Sequence, residues 1–383
     1  MIDLFSYFIY IFLLIIVLLF TYFGILLDKP NNFSIEFSIN KHLNIFHIVA
    51  LIFITVIVGF RYEVGTDWEV YKDWFAYFKQ NPQISFQDQF MEPGYFYINR
   101  WFADLGLDYT SVFLLIGFFS WFFIFKSVPN IILPVVLFFL FTDQYFFWSL
   151  NGVRQFFAIA VFLFAIKFVI SRNFFYYLLF ILIGALFHVS ILLLIPIYFI
   201  PFHKIYNQKI WIIAFTISLF FTQSQFLIIH FQNFIIDAME QVPVVGKYVK
   251  YFETEHYEIQ SLKGTGLGFV FRIFVTYFIL IFSKKVVASF PKTKIYFGLY
   301  FIGAIISNLF FMIQIIGRFN HYLLILRAIV LALIIYKLLK DNKTPALSYG
   351  IVGIFCWLYF ILFLVDIYRS ANLCSPYQFN FTI

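Results

Sequence analysis

Long apolar stretches separated by short polar turns recur from one end of the sequence to the other. Each holds about 15 to 25 residues, close to the roughly 20 residues that a helix needs to cross the hydrocarbon core of a bilayer. No long polar block divides them. The pattern predicts one polytopic helical membrane domain over residues 1–383, with no separate soluble domain.

The spacing of the stretches predicts an all-α protein with about twelve transmembrane helices. The predicted spans are 4–27, 43–60, 109–127, 130–149, 152–170, 173–187, 189–202, 209–224, 267–283, 295–315, 319–337 and 346–366. Residues 173–202 could also form one long tilted helix. We divide this run at "LFHVS" because the loops on either side then alternate correctly between the two faces.

The lysines predict which face is cytoplasmic, because short cytoplasmic loops are enriched in Lys and Arg. One face collects Lys29, Lys41, Lys126, Lys204, Lys209, Lys284, Lys285, Lys292, Lys294, Lys337, Lys340 and Lys343. The opposite face has the two longest polar segments, 61–108 and 225–266, which hold most of the 19 acidic residues. We expect both to be exoplasmic loops, the first with amphipathic helices.

Composition agrees with a membrane protein, since 63% of residues are hydrophobic and 12% are charged. The formal net charge of +7 does not come from a basic patch, so nucleic-acid binding is not predicted. Several arginines fall instead at predicted exoplasmic span ends: Arg61, Arg100, Arg154, Arg272, Arg318 and Arg369. Arginine offers a planar fork that suits phosphate oxygens, although snorkelling from a helix end is the alternative.

The segment "TDWE" predicts a capping box between Thr66 and Glu69. Aromatic residues then recur at helical spacing, which predicts an amphipathic helix lying in the membrane interface. Asp67 can either complement the dipole of this helix or act in a site with Arg61, which it could orient through a salt bridge.

A second amphipathic helix is predicted in "MEPGYFYINRWFADLG", with Pro93 at its first position and Gly106 closing it. Glu92 stands just before Pro93. It is either a cap or a carboxylate at the rim of a membrane cavity, where partial desolvation would suit a general base.

Taken together, the polar residues near the exoplasmic span ends fit an anion-binding cavity better than they fit a set of unrelated snorkelling side chains. The natural anion for a cavity open to lipid is a lipid phosphate or diphosphate. The residues concerned are Arg61, Arg154, Arg272, Arg318, Glu92, His188 and His321.

The ordered motifs "RYEVGTDWEVY", "EPGYFYINR", "NGVRQFFA", "LFHVS", "GRFNHY" and "SPYQF" resemble the EpsG family of Wzy-type polysaccharide polymerases. The resemblance covers nearly the whole chain. It implies a GT-C-like fold in a bacterial inner (plasma) membrane, with the active site facing the periplasm.

The resemblance also implies the reaction. A growing glycan would pass from undecaprenyl diphosphate to the non-reducing-end hydroxyl of a new lipid-linked repeat unit, without a nucleotide sugar or metal cofactor. We expect donor and acceptor lipids as partners, with a possible chain-length regulator of the Wzz type. Loop 225–266 is expected to cover the cavity.

The expected roles combine the residues with this resemblance. Arg61, Arg154, Arg272 and Arg318 would bind the diphosphate. Glu92 is the first choice for the base, followed by Asp67 and His188. The remaining polar positions, expected to contact substrate, are His321, Tyr322 and Tyr377.

Alternative functions remain open at this point. An O-antigen ligase would use the same chemistry with a different acceptor, and a flippase or exporter of lipid-linked oligosaccharides would need no chemistry. The absence of a detectable internal repeat disfavours a transporter of the inverted-repeat type. A membrane acyltransferase is a weaker alternative suggested by His188 alone.

Overall fold

Helices dominate the computed structural model, which describes residues 3–28, 35, 37, 41–88, 91–223, 237, 266–310, 314–341 and 345–381. The α-helices are α1 Leu4–Asp28, α2 Ile45–Gly59, α3 Trp68–Gln80, α4 Pro93–Asp104, α5 Tyr109–Ser127, α6 Leu133–Thr142, α7 Tyr145–Asn151, α8 Val153–Ile170, α9 Phe174–Ala185, α10 Phe202–Ile205, α11 Gln208–Gln223, α12 Leu267–Ser289, α13 Lys294–Leu309, α14 Gln314–Leu324, α15 Leu326–Lys340 and α16 Pro345–Tyr368. The predicted loop 225–266 lies outside the described residues except for 237 and 266.

Six helical stretches are long and apolar enough to cross a membrane, which confirms a helical polytopic protein. They are Leu4–Asp28, Tyr109–Ser127, Val153–Ile170, Leu267–Ser289, Ile316–Lys340 and Pro345–Tyr368. The predicted span 130–149 is a bent pair, with an angle of 64° between its two parts. Gln144 makes this bend by adopting a left-handed φ of 65°. The other predicted spans match shorter helices, so twelve crossings stay a prediction.

The chain forms two compact units. The first comprises Met1–Ile200 with Leu331–Ile383, and the second comprises Pro201–Val330. In the first unit α5 packs against both α2 and α8, and nearly every side chain of α8 is buried. In the second unit α11 packs against α12 and α13, and α13 packs against α14.

Two short helical elements form a hairpin at "LFHVS". Helix α9 packs antiparallel to the 3₁₀ helix Val189–Phe199, and the Tyr177 hydroxyl donates to the Leu194 carbonyl at 2.7 Å. At 1.5 Å per residue α9 is about 18 Å long, less than the roughly 30 Å of a bilayer core. The predicted division at "LFHVS" is therefore confirmed, and His188 lies at the tip of the hairpin.

A pair of two-residue strands was not predicted. Strand β1, Arg61–Tyr62, pairs antiparallel with strand β2, Gln378–Phe379. The Asn380 N–H extends the contact by donating to the Phe60 carbonyl at 2.7 Å. The carboxy-terminal tail is thereby fastened to the start of the predicted loop 61–108.

The aromatic face predicted for the first amphipathic helix is confirmed. Trp68, Tyr71, Phe75 and Phe78 are all buried along α3. This face packs against α4 and α5, so protein covers it; the position of α3 in a membrane interface stays a prediction.

The predicted capping box is wrong. Asp67, not Thr66, precedes α3, and no side chain caps the helix. The Thr66 hydroxyl instead donates to Asn151 Oδ1 at 2.9 Å, because Asn151 approaches from another part of the chain. The second amphipathic helix is confirmed as predicted: Pro93 opens α4, and Gly106 follows its end with a left-handed φ of 76°.

We predict that Gly65→Ala destabilises the protein more than Gly106→Ala does. Gly65 has a φ of 105°, and a Cβ there would lie 2.6 Å from the Leu150 carbonyl oxygen. Gly106 also has a positive φ, but a Cβ there would meet nothing within 4 Å. Backbone strain costs about 1–3 kcal/mol at either site, and only Gly65 adds a clash. The thermal unfolding midpoint in detergent measures the difference; equal losses would show that the approach to Leu150 is unimportant.

Candidate ion-pair site in the first unit

An ion pair joins two of the residues singled out in the sequence. Arg154 Nη1 lies 2.5 Å from Glu92 Oε2, although the residues are 62 positions apart. Glu92 precedes α4, and Arg154 lies in the first turn of α8. The two side chains are 22% and 17% exposed, for Arg154 and Glu92 respectively. The pair is therefore partly desolvated and still reachable from outside.

Glu92 is held from two directions. Its Oε1 accepts the backbone N–H of Val189 at 3.3 Å, while Oε2 accepts from Arg154. Its side chain makes no capping hydrogen bond to α4, so the interpretation of Glu92 as only a helix cap is wrong. The carboxylate is the acceptor in both contacts, which is also the role of a general base towards a hydroxyl.

Aromatic rings surround the Arg154 guanidinium. Its central carbon lies 5.1 Å from the ring centroid of Trp74 and 5.6 Å from that of Tyr95, both within cation–π range. The rings of Tyr71 and Tyr95 are themselves in contact, with centroids 5.6 Å apart. Arg154 Nε has no hydrogen-bond partner among the described residues. The guanidinium thus has aromatic rings on one side, and its Nε is buried.

His188 is linked to this pair through its neighbour Val189. The Val189 N–H donates to Glu92, and His188 Nδ1 lies 2.7 Å from Ser190 Oγ. The Gly94 N–H donates to the Leu186 carbonyl at 2.7 Å and fixes the hairpin tip beside the start of α4. The structure therefore brings the segments of Glu92, Arg154 and His188 together. The sequence analysis placed these residues in one cavity but did not predict which of them are in contact.

Arg61 is buried rather than open to a cavity. Its side chain is 0% exposed, with the guanidinium carbon 3.9 Å from the Phe113 ring centroid. Nη1 donates to the Val58 carbonyl, whereas Nε and Nη2 have no partner among the described residues. Burial lowers the pKa of Arg61 to about 10, so the group remains charged at neutral pH. Its predicted contact with a diphosphate stays a prediction.

The predicted salt bridge between Asp67 and Arg61 is wrong. Asp67 is exposed and takes a weak contact from the Thr66 hydroxyl at 3.4 Å, while Arg61 points into the aromatic interior. The role of Asp67 as the second-choice base stays a prediction.

Tyr71 and Tyr95 connect Arg61 to the ion pair. Both phenols interact electrostatically with Arg61 and Arg154, and Tyr71 hydrogen-bonds to Arg154. Burial nevertheless raises the pKa of Tyr71 and of Tyr95, so both keep their protons at neutral pH. The charged pair therefore rests on a layer of neutral, hydrogen-bonding rings.

Asn151 is a positioning residue that the sequence analysis missed. Its Oδ1 accepts from the backbone N–H and the hydroxyl of Thr66, and its Nδ2 donates to the Asn372 carbonyl at 3.2 Å. It thus ties the loop before α3 and the carboxy-terminal tail to the head of α8, next to Arg154. The signal was present in "NGVRQFFA", because Asn followed by Gly marks a turn.

Tyr377 lies in the packed interior of the first unit. It is 2% exposed, its hydroxyl donates to the Ile57 carbonyl at 2.7 Å, and its N–H donates to Ser6 Oγ at 2.6 Å. These contacts give it a structural role here. We therefore leave Tyr377 out of the candidate site.

The other predicted residues lie in the second unit. Arg272 Nη1 donates to Ser307 Oγ at 3.1 Å, Arg318 is exposed, His321 is half-buried and Tyr322 is buried. Arg327 is close enough to act electrostatically on both Arg272 and His321. Residues 259–330 contain no Asp or Glu, so this part of the second unit is strongly basic. It suits an anion, but the predicted clamp of four arginines stays a prediction.

The described residues include no group of three His, Cys, Asp or Glu that could hold a metal ion. The ion pair itself offers two functions in one place. Arg154 can bind an anion, and Glu92 can accept a proton.

Comparison with known proteins gives one match. The sequence profile of the EpsG family matches residues 44–379, which include every predicted site residue. No curated protein and no solved structure matches the chain.

We predict that Asn151→Asp lowers the thermal unfolding midpoint in detergent. The new carboxylate keeps the acceptor for Thr66, but it removes the amide donor from the carbonyls of Phe147 and Asn372 and brings negative charge against them. Leaving buried polar groups unsatisfied costs about 1–3 kcal/mol. Asn81→Asp is the matched control, because this amide is exposed and, among the described residues, donates to the Tyr77 carbonyl alone. Identical midpoints in the two variants would contradict a positioning role for Asn151.

Proposed function

The chain belongs to the EpsG family, a family of Wzy-like polymerases, and on that premise we propose that it polymerises lipid-linked oligosaccharide repeat units in a membrane. The growing glycan leaves undecaprenyl diphosphate and joins the non-reducing-end hydroxyl of a new lipid-linked unit. The observation that carries the proposal is the Glu92–Arg154 pair, which places a proton acceptor and a phosphate-binding group side by side.

Glu92 acts as the base in this reaction. The acceptor hydroxyl oxygen forms a bond to the anomeric carbon of the donor glycan, and its proton passes to the Glu92 carboxylate. The bond between the anomeric carbon and the diphosphate oxygen breaks, and its electron pair leaves with the diphosphate. Positioned proton transfer of this kind contributes about 10²–10⁴-fold to rate.

Arg154 binds the diphosphate and stabilises the charge that develops on it. Its side chain is partly exposed, and the rings of Trp74 and Tyr95 lie beside the guanidinium. Arginine suits this role because its donors match two phosphate oxygens at once. We propose Arg272 and Arg318 as further diphosphate ligands on the basis of their charge, and the buried charge of Arg61 favours anions from behind the aromatic layer.

The site is proposed to face the periplasm of a bacterial inner membrane. Lysines support this orientation. Lys41 precedes α2, whose other end leads to Arg61, and Lys126 lies in the last turn of α5. Lys41 Nζ donates to the Val128 carbonyl at 2.7 Å and to the Phe125 carbonyl, and Lys126 Nζ donates to the Lys41 carbonyl. Enrichment of Lys at one face is typical of the cytoplasmic side. A chain-length regulator of the Wzz type is a proposed partner.

We predict that Glu92→Gln reduces polymerisation by about 100-fold or more, because the amide cannot accept the proton. Purified protein in proteoliposomes, supplied with a lipid-linked repeat unit, measures the rate and the product length. Glu69→Gln is the matched control: this carboxylate is exposed on α3 and should retain normal activity.

Near-normal polymer from both Glu92→Gln and Asp67→Asn would exclude a carboxylate base and favour His188 or His321. Near-normal polymer from Arg154→Ala combined with Arg318→Lys would exclude the diphosphate clamp.

Loss of the protein in cells distinguishes the remaining alternatives. We predict single repeat units on the cell surface of a deletion strain. Polymer stranded on undecaprenyl diphosphate would instead indicate an O-antigen ligase. Repeat units retained on the cytoplasmic face would indicate a flippase or exporter. Analysis of surface and lipid-linked glycan by electrophoresis separates the three outcomes.

A further inference from the structure

The Glu92 carboxylate occupies the position on Arg154 where an anionic ligand would bind. We infer that Glu92 is an internal competitor for this anion site, and that the donor diphosphate must displace it before Glu92 can act as a base. The inference rests on the proposed function and adds an order of events to it: the donor binds first, and base activation follows.

The rings beside Arg154 lie on one side of its guanidinium. The centroids of Trp74 and Tyr95 are 5.1 and 5.6 Å from its central carbon and 6.3 Å from each other. In this partly exposed ion pair Nη1 is engaged by Glu92 at 2.5 Å, so an anion that binds Nη1 has to displace the carboxylate. The two anions compete for the same donor.

A diphosphate can also offer Arg154 more than Glu92 does. Glu92 brings a single oxygen, Oε2, to Nη1, while its other oxygen accepts from the Val189 N–H. A diphosphate carries several oxygens and more negative charge than one carboxylate, so it can contact the guanidinium through more than one oxygen. The larger charge of the diphosphate favours the exchange.

Glu92 can leave Arg154 without leaving the site. Its Oε1 is held separately by the Val189 N–H at 3.3 Å, and the Gly94 N–H fixes the adjoining backbone on the Leu186 carbonyl at 2.7 Å. Displacement therefore needs only rotation of the Glu92 side chain. The released Oε2 is then available to accept the proton of an acceptor hydroxyl.

This order has a chemical consequence. Without the donor, Oε2 of the carboxylate is occupied by Arg154 and is not available to an acceptor hydroxyl. With the donor in place, the base and the leaving group are present together. Glu92 can therefore accept a proton only when the donor diphosphate is bound.

The test measures binding of inorganic diphosphate and of undecaprenyl diphosphate to the purified full-length protein in detergent. We predict that Glu92→Gln binds both probes about five to ten times more tightly than the parent protein, because an internal ion pair worth roughly 1 kcal/mol no longer competes. Arg154→Ala should bind them at least tenfold more weakly. Glu69→Gln, with its exposed carboxylate on α3, should bind them like the parent protein.

Equal or weaker binding by Glu92→Gln, in protein with a parent-like thermal midpoint, would overturn the inference, since Glu92 would then support Arg154 rather than compete for it. Tightening in Glu69→Gln as well would also overturn it, because the effect would be one of overall charge. The proposed function fails separately: tighter binding together with normal polymerisation by Glu92→Gln would keep the competition and remove Glu92 as the base.

Discussion

A charged guanidinium at the head of an apolar, almost fully buried helix needs a compensating partner, and this constraint organises the first unit of the protein. Arg154 at the start of α8 finds that partner in Glu92, which comes from a different segment of the chain. Glu92 in turn takes a backbone N–H from the tip of a short helical hairpin. One ion pair therefore connects α4, α8 and the hairpin.

The contacts around the pair keep these segments in register. Asn151 fastens the loop before α3 and the carboxy-terminal tail to the head of α8, and the strand pair of Arg61 with Phe379 holds the same tail beside the end of α2. Arg61 itself is buried beneath the aromatic layer with its charge intact. The site thus combines a rigid frame, an internal positive charge and an accessible ion pair.

The sequence predicted those features that depend on local pattern. Apolar periodicity located the helices and the buried face of α3, and Pro93 with Gly106 bounded α4. Glu92 and Arg154 were singled out separately, but their pairing across 62 residues leaves no trace in local spacing. The capping box failed for the same reason, since a distant amide recruits the Thr66 hydroxyl. Two-residue strands are too short to show alternation, so the contribution of the tail was missed.

The most direct test of the account is a double-mutant cycle on polymerisation by the purified protein, with kcat/KM measured for the parent, Glu92→Gln, Arg154→Ala and the combined variant. Once the donor has displaced Glu92, the two side chains act on different groups, Glu92 on the acceptor proton and Arg154 on the diphosphate, so the loss in the combined variant will be at least the product of the two single losses. A combined variant no slower than the slower single variant would show that the two side chains act only as an intact pair and would contradict the account.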